Sequence, residues 1–436
     1  MTSTSASPYD SGLAADALPL RTQLASRAGA AVAALSRRMG RGSGSVVGGR
    51  AILVLDPGAL GHLARHRRVV LVSGTNGKTT TTSLLAAALT TAGPVVTNLL
   101  GANLPPGLAA ALAGAAVTAR TAVLEVDEAW LGRVADEVAP AVAVLLNLSR
   151  DQLDRNNEVR HLSATWRAVV ARSPAVHVVA NADDPLVAWA ALAAASVTWV
   201  GAGQPWTVDA AGCPSCGGRI RFDADGATSG WACGSCSLER PALDAWIEDQ
   251  TIVTRDGRRL SFQLRLPGRC NEANALMAMV AAGRFGVPGE AALAAMAETS
   301  EVAGRYRSVV SGSARARLLL AKNPAGWLEV FDLLAPPPTP VVIGINARIA
   351  DGKDPSWLWD VPFERLRGRL VVASGERSRD LAVRLHYAEV EHRHEPDPVL
   401  AIQRAGTPEV DVVANYTSFQ AISTRLDRAL RLDRAA

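Results

Sequence analysis

A glycine-rich loop carries the clearest chemical signature in this chain of 436 residues. It follows the apolar run 69–73, precedes the helical pattern 81–89, and consists of Gly74, Thr75, Asn76, Gly77, Lys78, Thr79 and Thr80. In such loops backbone N–H groups bind phosphate oxygens, a lysine neutralises the β and γ phosphates, and a threonine hydroxyl is a ligand of Mg²⁺. The sequence therefore predicts a site for ATP and Mg²⁺, with Lys78 catalytic and Thr79 on the metal.

An ordinary turn between a strand and a helix is the alternative interpretation of this loop. Only two residues separate Gly74 from Gly77, whereas the common form of the phosphate loop has four between its glycines. However, Lys78 is the only lysine among the first 321 residues, and the whole chain has three. Because one of so few lysines stands at the phosphate-binding position, the phosphate loop is the favoured interpretation.

Two cysteine pairs form a second motif with metal-ligand spacing. The pairs are separated by 16 residues and consist of Cys213, Cys216, Cys233 and Cys236. This spacing is typical of a zinc ribbon, in which four thiolates complete a tetrahedron and leave no position open for catalysis. A structural Zn²⁺ is the favoured prediction, with redox or nucleic-acid roles as alternatives. The fifth cysteine, Cys270, is predicted to be a packed small residue rather than a nucleophile.

The glycine-rich loop resembles that of the Mur ligase family, which joins amines to carboxylates through an acyl phosphate. Further segments that resemble the family are residues 124–128 with Glu125, 147–154, 181–185, 266–275 and 304–305. The resemblance implies that Glu125 binds Mg²⁺ and that the segment with Asn271 and Asn274 reaches the adenine. It also implies that Arg305 stands at the entry to the C-terminal domain.

Each of the last three residues has a structural alternative: Asn271 and Asn274 could cap a helix, and Arg305 could be a surface arginine. Likewise, Asp183 and Asp184 could form a turn rather than contact nucleotide or Mg²⁺.

Three departures from the Mur ligase pattern narrow the interpretation. Gln152 stands where the family has a histidine, and the phosphate loop begins too early to follow a UDP-binding domain of ordinary size. The family also uses a carbamylated lysine for a second metal, but no lysine lies between Lys78 and Lys322. We therefore expect no second-metal site of that kind, unless Asp or Gln side chains replace the lysine.

A narrower resemblance is to the MurT subunits of lipid II isoglutaminyl synthases, which lack the UDP-binding domain and carry a four-cysteine ribbon. The residues that carry it in the C-terminal part are 320–326, Asn346, 350–360 and 415–417. The resemblance implies ATP-dependent amidation of the D-glutamate α-carboxyl in the lipid II stem peptide, with ammonia from the partner glutaminase GatD. It also implies that Asp354 completes the Cys–His pair of that partner.

From spacing alone, however, Asp354 could equally cap a helix near Ser356, and Trp357 and Trp359 could belong either to the core or to an interface.

The sequence is also compatible with two other functions. One is a stand-alone amino-acid ligase similar to folylpolyglutamate or peptide-extending Mur ligases, which the missing lysine disfavours. The other is a nucleotide-gated zinc-ribbon binding module. The net charge of only +4 gives no nucleic-acid footprint. No apolar run approaches the roughly 20 residues that span a bilayer, so we expect a cytoplasmic protein. The resemblance, with lipid II as the substrate, implies that it acts at the inner face of the membrane.

The elements that must position these residues follow an α/β pattern. Unbroken apolar runs at 69–73, 121–126, 141–146, 176–180 and 197–201 predict buried parallel strands. A disordered segment is expected over 1 to about 20, a helix over 24–39 and a flexible run over 40–49. A helix is expected over 271–285, and strands over 317–321, 341–345, 370–373 and 410–414.

The predicted architecture is a Mur-ligase-like phosphate-loop ATPase domain over 49–303, with a zinc-ribbon insertion at about 205–246. A tail and a helix precede it over 1–48. A smaller, Rossmann-like α/β domain follows over 304–436.

Overall fold

The structure is a computed structural model that describes residues 18–39, 44–98, 102–150, 159–223, 230–300, 306–311 and 314–433. Three predicted features lie outside these residues: most of the N-terminal disordered segment, the motif residues 151–154, and Arg305. Two large sheets, each flanked by helices, and one two-stranded ribbon are the sheets of the described residues.

Three helices precede the first sheet: α1 (Leu20–Arg38), α2 (Ser45–Leu55) and α3 (Ala59–Ala64). Helix α1 confirms the predicted helix, but the predicted flexible run is wrong over 45–49, which belongs to α2. Gly49 of α2 lies against α5 (Pro105–Ala113), where an added Cβ would stand 1.7 Å from the carbonyl oxygen of Pro106. Glycine is used here for close helix packing and not for flexibility, which the sequence pattern alone could not distinguish.

The first sheet has nine strands in the order β11, β10, β9, β6, β5, β4, β1, β3, β2. The bounds are β1 (Arg68–Ser73), β2 (Val95–Thr97), β3 (Thr121–Glu125), β4 (Val142–Leu145), β5 (His177–Asn181), β6 (Val197–Gly201), β9 (Ala245–Glu248), β10 (Thr251–Thr254) and β11 (Arg259–Ser261). The five predicted strands are confirmed, and β1 to β6 are parallel. Strand β9 adds parallel to β6, and β9 to β11 form an antiparallel edge.

Helices cover both faces of this sheet, so its central strands are buried on both sides as their unbroken apolar runs predict. Val69 and Leu71 of β1 face one core cluster, whereas Val70 and Val72 face the other. Besides α5, the helices are α4 (Lys78–Thr90), α6 (Leu131–Val138), α7 (Val159–Ala171), α8 (Pro185–Ala191), α9 (Arg269–Gly283) and α10 (Gly289–Ala297).

The predicted insertion contains a two-stranded ribbon, β7 (Ile220–Phe222) with β8 (Trp231–Cys233). The ribbon packs on the first sheet's helices through its own small apolar cluster, which includes Ile220, Trp231 and Ala188. The indole N–H of Trp231 donates to the carbonyl oxygen of Ala182 at 2.9 Å. The ribbon is thus fixed to the loop that follows β5.

The second sheet has six strands in the order β12, β13, β17, β14, β15, β16, all parallel except β12. The bounds are β12 (Tyr306–Ser311), β13 (Ala314–Leu320), β14 (Val341–Gly344), β15 (Val371–Ser374), β16 (His392–His394) and β17 (Glu409–Ala414). The four predicted strands correspond to β13, β14, β15 and β17.

The helices of this second unit are α11 (Pro324–Leu333), α12 (Ser378–Tyr387), α13 (Pro398–Gln403) and α14 (Tyr416–Asp433). Over the described ranges of both units, none of the helices has the combination of length and apolar character that crossing a bilayer requires.

Candidate active site

The glycine-rich loop lies where β1 ends and α4 begins, next to the carboxyl ends of β3 and β4 in the same sheet. Gly77 has φ +82°, and a Cβ there would stand 2.5 Å from Oδ1 of Asn274. A side chain at this position is therefore excluded both by backbone conformation and by space. The loop brings Lys78, Thr79 and Thr80 onto the first turn of α4, where helix N–H groups favour an anion.

Lys78 is buried, and its ammonium group is surrounded by oxygen acceptors. Its Nζ donates to the carbonyl oxygens of Gly74 at 2.5 Å and Thr75 at 3.3 Å, and lies 3.1 Å from Oε2 of Glu128. The loop thus holds the one buried lysine charge against a carboxylate that is itself buried. Sequence reasoning missed Glu128, although it is the last residue of the segment that supplied Glu125.

Thr79 and Glu125 meet, as their predicted shared role requires. The hydroxyl of Thr79 donates to Oε2 of Glu125 at 2.8 Å, and the side-chain amide of Asn103 donates to Oε1 at 3.3 Å. Asn98 fixes the Glu125 backbone by exchanging two hydrogen bonds of 2.8 Å with it. A hydroxyl and a carboxylate, with an amide oxygen nearby, are the hard oxygen ligands that suit Mg²⁺. The donor set therefore fits the predicted metal.

The loop is pinned to the end of β4. The backbone N–H of Asn76 donates to Oδ1 of Asn147 at 2.9 Å, and Nδ2 of Asn147 donates to the carbonyl of Asn76 at 3.1 Å. Thr75 exchanges hydrogen bonds with the backbone of Ser149 at 3.0 and 3.1 Å. These contacts fix the conformation of the first half of the loop.

The second α/β unit reaches this loop through Asn323. The side-chain amides of Asn76 and Asn323 exchange hydrogen bonds of 3.3 Å, and Asn323 also caps α11. A crevice lies at this junction, in two lobes of about 90 and 450 Å³. The residues that line both lobes are Asn76, Cys270, Asn274 and Glu329.

Asn271 and Asn274 both line the crevice, but neither caps a helix. Helix α9 begins at Arg269, with Gly268 at the N-cap, so both residues lie within the helix. Asn271 donates to the carbonyl of Pro267 at 2.6 Å, and Asn274 accepts from the hydroxyl of Thr81 at 3.1 Å. The structural alternative is therefore wrong, while contact with adenine stays a prediction.

Asp183 and Asp184 are engaged with protein groups. Asp184 caps α8 and accepts from the N–H of Leu148 at 2.8 Å, and burial raises its pKa to about 6. Asp183 pairs with Arg240, which follows the ribbon, at 2.5 Å and accepts from the N–H of Gly203 at 2.6 Å. These contacts favour the structural interpretation for Asp184 and connect Asp183 to the inserted segment.

The ionisable pair on the floor of the crevice was not anticipated from sequence. Glu329 of α11 faces the Cys270 thiol, and burial raises the Glu329 pKa to about 7. Burial and the Glu329 carboxylate also raise the Cys270 thiol pKa well above its ordinary value. A thiol that stays protonated is a poor nucleophile, which agrees with the predicted packing role.

The four remaining cysteines converge. Sγ of Cys213 lies 3.7 Å from that of Cys236, and Sγ of Cys216 lies 3.6 Å from that of Cys233. With Zn–S bonds of about 2.3 Å, a ZnS₄ tetrahedron has S–S edges of about 3.8 Å. Backbone N–H groups donate to two of the sulfurs, from Ser235 to Cys233 at 3.3 Å and from Gly218 to Cys216 at 3.4 Å, and such donors stabilise thiolates. The geometry therefore fits the predicted Zn²⁺.

Asp354 lies on an exposed segment of the second unit, between β14 and β15. Its Oδ1 accepts from the N–H of Ser356 at 2.8 Å, at the start of the 3₁₀ turn Ser356–Trp359. The helix-capping alternative is thus present, and the carboxylate is accessible. In the same segment Trp357 is buried, whereas Trp359 is 55% exposed and stacks edge-on against Tyr387.

The carboxylate of Asp351 anchors this segment from inside. It accepts from the N–H of Thr417 at 2.8 Å and from the Thr417 hydroxyl. Asn346 and Asn415, at the ends of β14 and β17, exchange further hydrogen bonds nearby. The Asp354 segment is therefore tied to the carboxyl edge of the second sheet.

Comparison with known proteins identifies both units. The sequence family described as MurT ligase C-terminal matches residues 320–419, and the Mur ligase middle domain matches residues 72–282. A Streptococcus pneumoniae relative named lipid II isoglutaminyl synthase (glutamine-hydrolyzing) subunit MurT is 30% identical, over 84% of this chain and 87% of the relative. The chain belongs to the MurT family. It is accordingly a Mur-type, ATP-dependent ligase.

Other relatives and structures agree with membership of the MurT family. A Staphylococcus aureus protein of the same name is 27% identical, over 83% of this chain and 87% of its own. Among solved structures, a pseudomurein peptide ligase type C from Methanothermus fervidus has a TM-score of 0.65 at 18% identity, covering 84% of this chain and 79% of its own.

MurF from Acinetobacter baumannii has a TM-score of 0.63 at 16% identity, covering 87% and 80%. These structures confirm the predicted Mur-ligase-like α/β fold.

Proposed function

We propose that this MurT-family chain amidates the α-carboxyl of D-glutamate in the lipid II stem peptide, using ATP and ammonia from a partner glutaminase of the GatD type. The observation that carries the proposal is the pairing, in one chain, of a preformed phosphate loop with the accessible Asp354 on the MurT-type C-terminal unit. It acts, in this proposal, at the inner face of the cell membrane, where its lipid-linked substrate is held.

The reaction balances in two steps. A carboxylate oxygen of the substrate attacks the γ-phosphorus of ATP, so an acyl phosphate forms and ADP leaves. Ammonia then attacks the acyl carbon, inorganic phosphate leaves, and the nitrogen loses a proton to give the primary amide. Both steps build negative charge on phosphate oxygens, which oriented N–H groups and a buried cation stabilise.

In this proposal Lys78, Thr79 and the N–H groups at the start of α4 stabilise that charge. Lys78 is placed to move from Glu128 to the β and γ phosphates, and the first turn of α4 provides N–H donors. Thr79 and Glu125 would hold Mg²⁺, which when bound neutralises charge on the phosphates. Asn271 and Asn274, which line the crevice, and Arg305, which lies outside the described residues, are proposed to contact the nucleotide.

We propose that a second protein supplies the ammonia. A glutaminase of the Cys–His type needs a reactive thiolate, but four of the five cysteines form the ribbon cluster. The fifth, Cys270, faces the Glu329 carboxylate, which disfavours its thiolate form. An accessible aspartate such as Asp354 could instead orient the histidine of a Cys–His pair on the partner.

The proposal is tested by mass spectrometry of lipid II incubated with the purified chain, Mg-ATP and concentrated ammonium at alkaline pH, which bypasses any glutaminase. We expect one carboxyl to become an amide, and Lys78→Ala to abolish the product. Arg258→Ala, at an exposed turn, is the matched control and should leave it unchanged. Extension of the stem peptide by an added amino acid, with no response to ammonium, would instead identify a stand-alone amino-acid ligase.

We propose in addition that the four-cysteine cluster holds one structural Zn²⁺. Metal analysis of the purified chain should then give about one zinc per chain, because four thiolates complete a single tetrahedral site. Cys216→Ser should lower that ratio, whereas Cys270→Ser should not. Full zinc content in Cys216→Ser would contradict the assignment.

A further inference from the structure

The N-terminal helices are packed in an unusual way: they bury small residues and expose large apolar ones. The buried residues of α1 are Thr22, Ala25, Gly29 and Ser36. On the opposite side, an exposed stripe at helical spacing contains Leu20, Leu24, Arg27, Ala31, Leu35 and Arg38. An amphipathic helix of a globular protein normally turns such leucines inward.

Helix α2 repeats this arrangement. Its buried residues are Gly48, Gly49 and Ile52, whereas Val46, Val47 and Val54 are exposed by 41 to 78%. The close contact between the helices explains the inner face, since a Cβ on Gly29 would lie 2.8 Å from the carbonyl oxygen of Gly48. The contact does not explain the outer face, where large apolar side chains meet solvent without packing benefit. Gly29 of α1 faces Gly48 and Ile52 of α2, so the exposed sides of the two helices point away from each other. We call the exposed stripe of α1 alone the outer face.

The N-terminal helical region is strongly basic. Residues 18–68 contain nine arginines and one acidic residue, Asp56, so they carry a formal charge of +8, whereas the whole chain carries +4. The rest of the chain is therefore net negative. Asp56 is buried and accepts from Thr22 and His62, so it does not offset the arginines at the surface.

The helices packed against α1 and α2 add no acid. Helices α3 and α5, which contact them, contain no Asp or Glu. Exposed arginines on the two outer helices include Arg21, Arg27, Arg38 and Arg50. Apolar side chains interleaved with arginine, with no exposed acid on these helices, are the features of a helix that lies in the headgroup region of an anionic membrane.

We propose that the outer face docks the protein onto the surface of an anionic phospholipid bilayer, with the apolar residues of α1 entering the headgroup region. The inference rests on the proposed function to the extent that a lipid-linked substrate gives such docking a purpose. Docking would hold the chain in the plane in which the substrate diffuses, without any helix crossing the bilayer.

The test is flotation of the full chain with vesicles that contain no lipid II. Vesicles of phosphatidylglycerol and phosphatidylcholine should bind the protein, and pure phosphatidylcholine should bind it at least about 10-fold more weakly, because the arginines need anionic headgroups. High salt should weaken the binding, since it screens exposed charges.

Variants assign the binding to the outer face. The triple variant Leu20→Ser, Leu24→Ser, Leu35→Ser should bind at least about 10-fold more weakly, as should the double variant Arg27→Gln, Arg38→Gln. All five residues are exposed, so the fold should survive. The controls are Leu192→Ser and the double variant Arg255→Gln, Arg258→Gln, which are exposed elsewhere and should bind as the unmodified chain does.

Equal binding by the outer-face variants, or equal binding to both vesicle types, would overturn the proposal. So would a dimer in solution that the leucine variant converts to monomer, since the outer face would then be a contact between copies of this chain.

A second assay separates this inference from the proposed function. The leucine variant is given a short-chain, water-soluble lipid II analogue with Mg-ATP and ammonium, where membrane docking is irrelevant. Unchanged amidation together with lost vesicle binding supports docking. If the unmodified chain binds vesicles but does not amidate the analogue, docking is supported and the proposed function is contradicted. If the unmodified chain amidates the analogue but does not bind vesicles, the proposed function is supported and docking is contradicted.

Discussion

The phosphate loop and the Asp354 segment differ in how far each is completed by this chain. Lys78 is 4% exposed and contacts two carbonyls and a carboxylate, and Thr79 already meets Glu125. Asp354, by contrast, is exposed and accepts from an N–H two residues away. The loop is thus an internally supported binding site, whereas in the proposed reaction the histidine that Asp354 orients belongs to another protein.

This difference indicates a division of labour in the proposed reaction. Phosphate chemistry requires oriented groups in a site from which water can be excluded, and burial within one chain provides them. A group that orients the histidine of another subunit must stay accessible until that subunit binds. The same chain therefore has one site that should work with free ammonium and one that should matter only when glutamine is the nitrogen donor.

The largest expected effect comes from Lys78→Ala. ATP-dependent amidation should fall about 10³-fold with either nitrogen source, because a cation that stabilises transition-state charge is lost. Initial rates with ammonium and with glutamine plus the partner measure this. A thermal melt controls for folding, because the substitution leaves Glu128 buried without its ion pair. A loss confined to glutamine would contradict the division.

Asp354→Asn should have the next largest effect, and only on one reaction. We expect the glutamine-driven rate to fall about 10²-fold or more, because an amide no longer favours the required histidine tautomer. The ammonium-driven rate should stay within about 2-fold of the original, since no phosphate contact is changed. Asp380→Asn, at an exposed aspartate on α12 of the same unit, is the control and should leave both rates unchanged.

Asp351→Ala tests how the exposed segment is held. The free energy of unfolding should fall by about 1 to 3 kcal/mol, because the half-buried Thr417 donors lose the buried carboxylate that accepts from them. Urea denaturation of the full chain measures this. Asp354→Ala should cost less than about 1 kcal/mol, because its single contact is exposed. Equal costs for the two aspartates would show that Asp351 is not the anchor.

The last expected effect concerns pH and the crevice beside the phosphate loop. The pKa of Glu329 is raised from 4.5 to about 7, so the folded state binds this proton more tightly than the unfolded state. The stabilising contribution is fully present below about pH 4.5 and is lost as the pH rises through about 7. The difference in unfolding free energy between the unmodified chain and Glu329→Gln should therefore change across this window, and a constant difference would contradict it.

The strands that could be predicted from the sequence are those with buried faces and a clear apolar pattern. The runs that became β1, β3, β4, β5 and β6 were recognisable because both faces of each strand are apolar. Strands β2 and β16 were missed because they are three residues long, and β16 is His392, Arg393 and His394. Such edge strands form through backbone pairing with a neighbour, which leaves no apolar period in the sequence.

The candidate site could likewise be predicted only in part from the sequence. Residues within a motif, such as Lys78, Thr79 and the four cysteines, were found because their chemistry depends on local spacing. The contacts of Asn103, Glu128 and Asn323 with the loop residues or with Glu125 were missed. Glu128 and Asn323 stand within the family-like segments 124–128 and 320–326, but the sequence does not show which side chains of those segments meet the loop. The family resemblance supplied Glu125 and Asp354, which spacing alone would have left ambiguous.

The sequence by itself determined the phosphate loop, the four-cysteine ribbon and the α/β pattern, because glycine conformation, thiolate spacing and strand burial are encoded over short distances. Only the tertiary structure decided that Glu128 balances Lys78, that Asn323 links the second unit to the loop, and that α1 and α2 turn their leucines and valines outward. Those features depend on which surfaces pack together, and packing joins residues that are far apart in the chain.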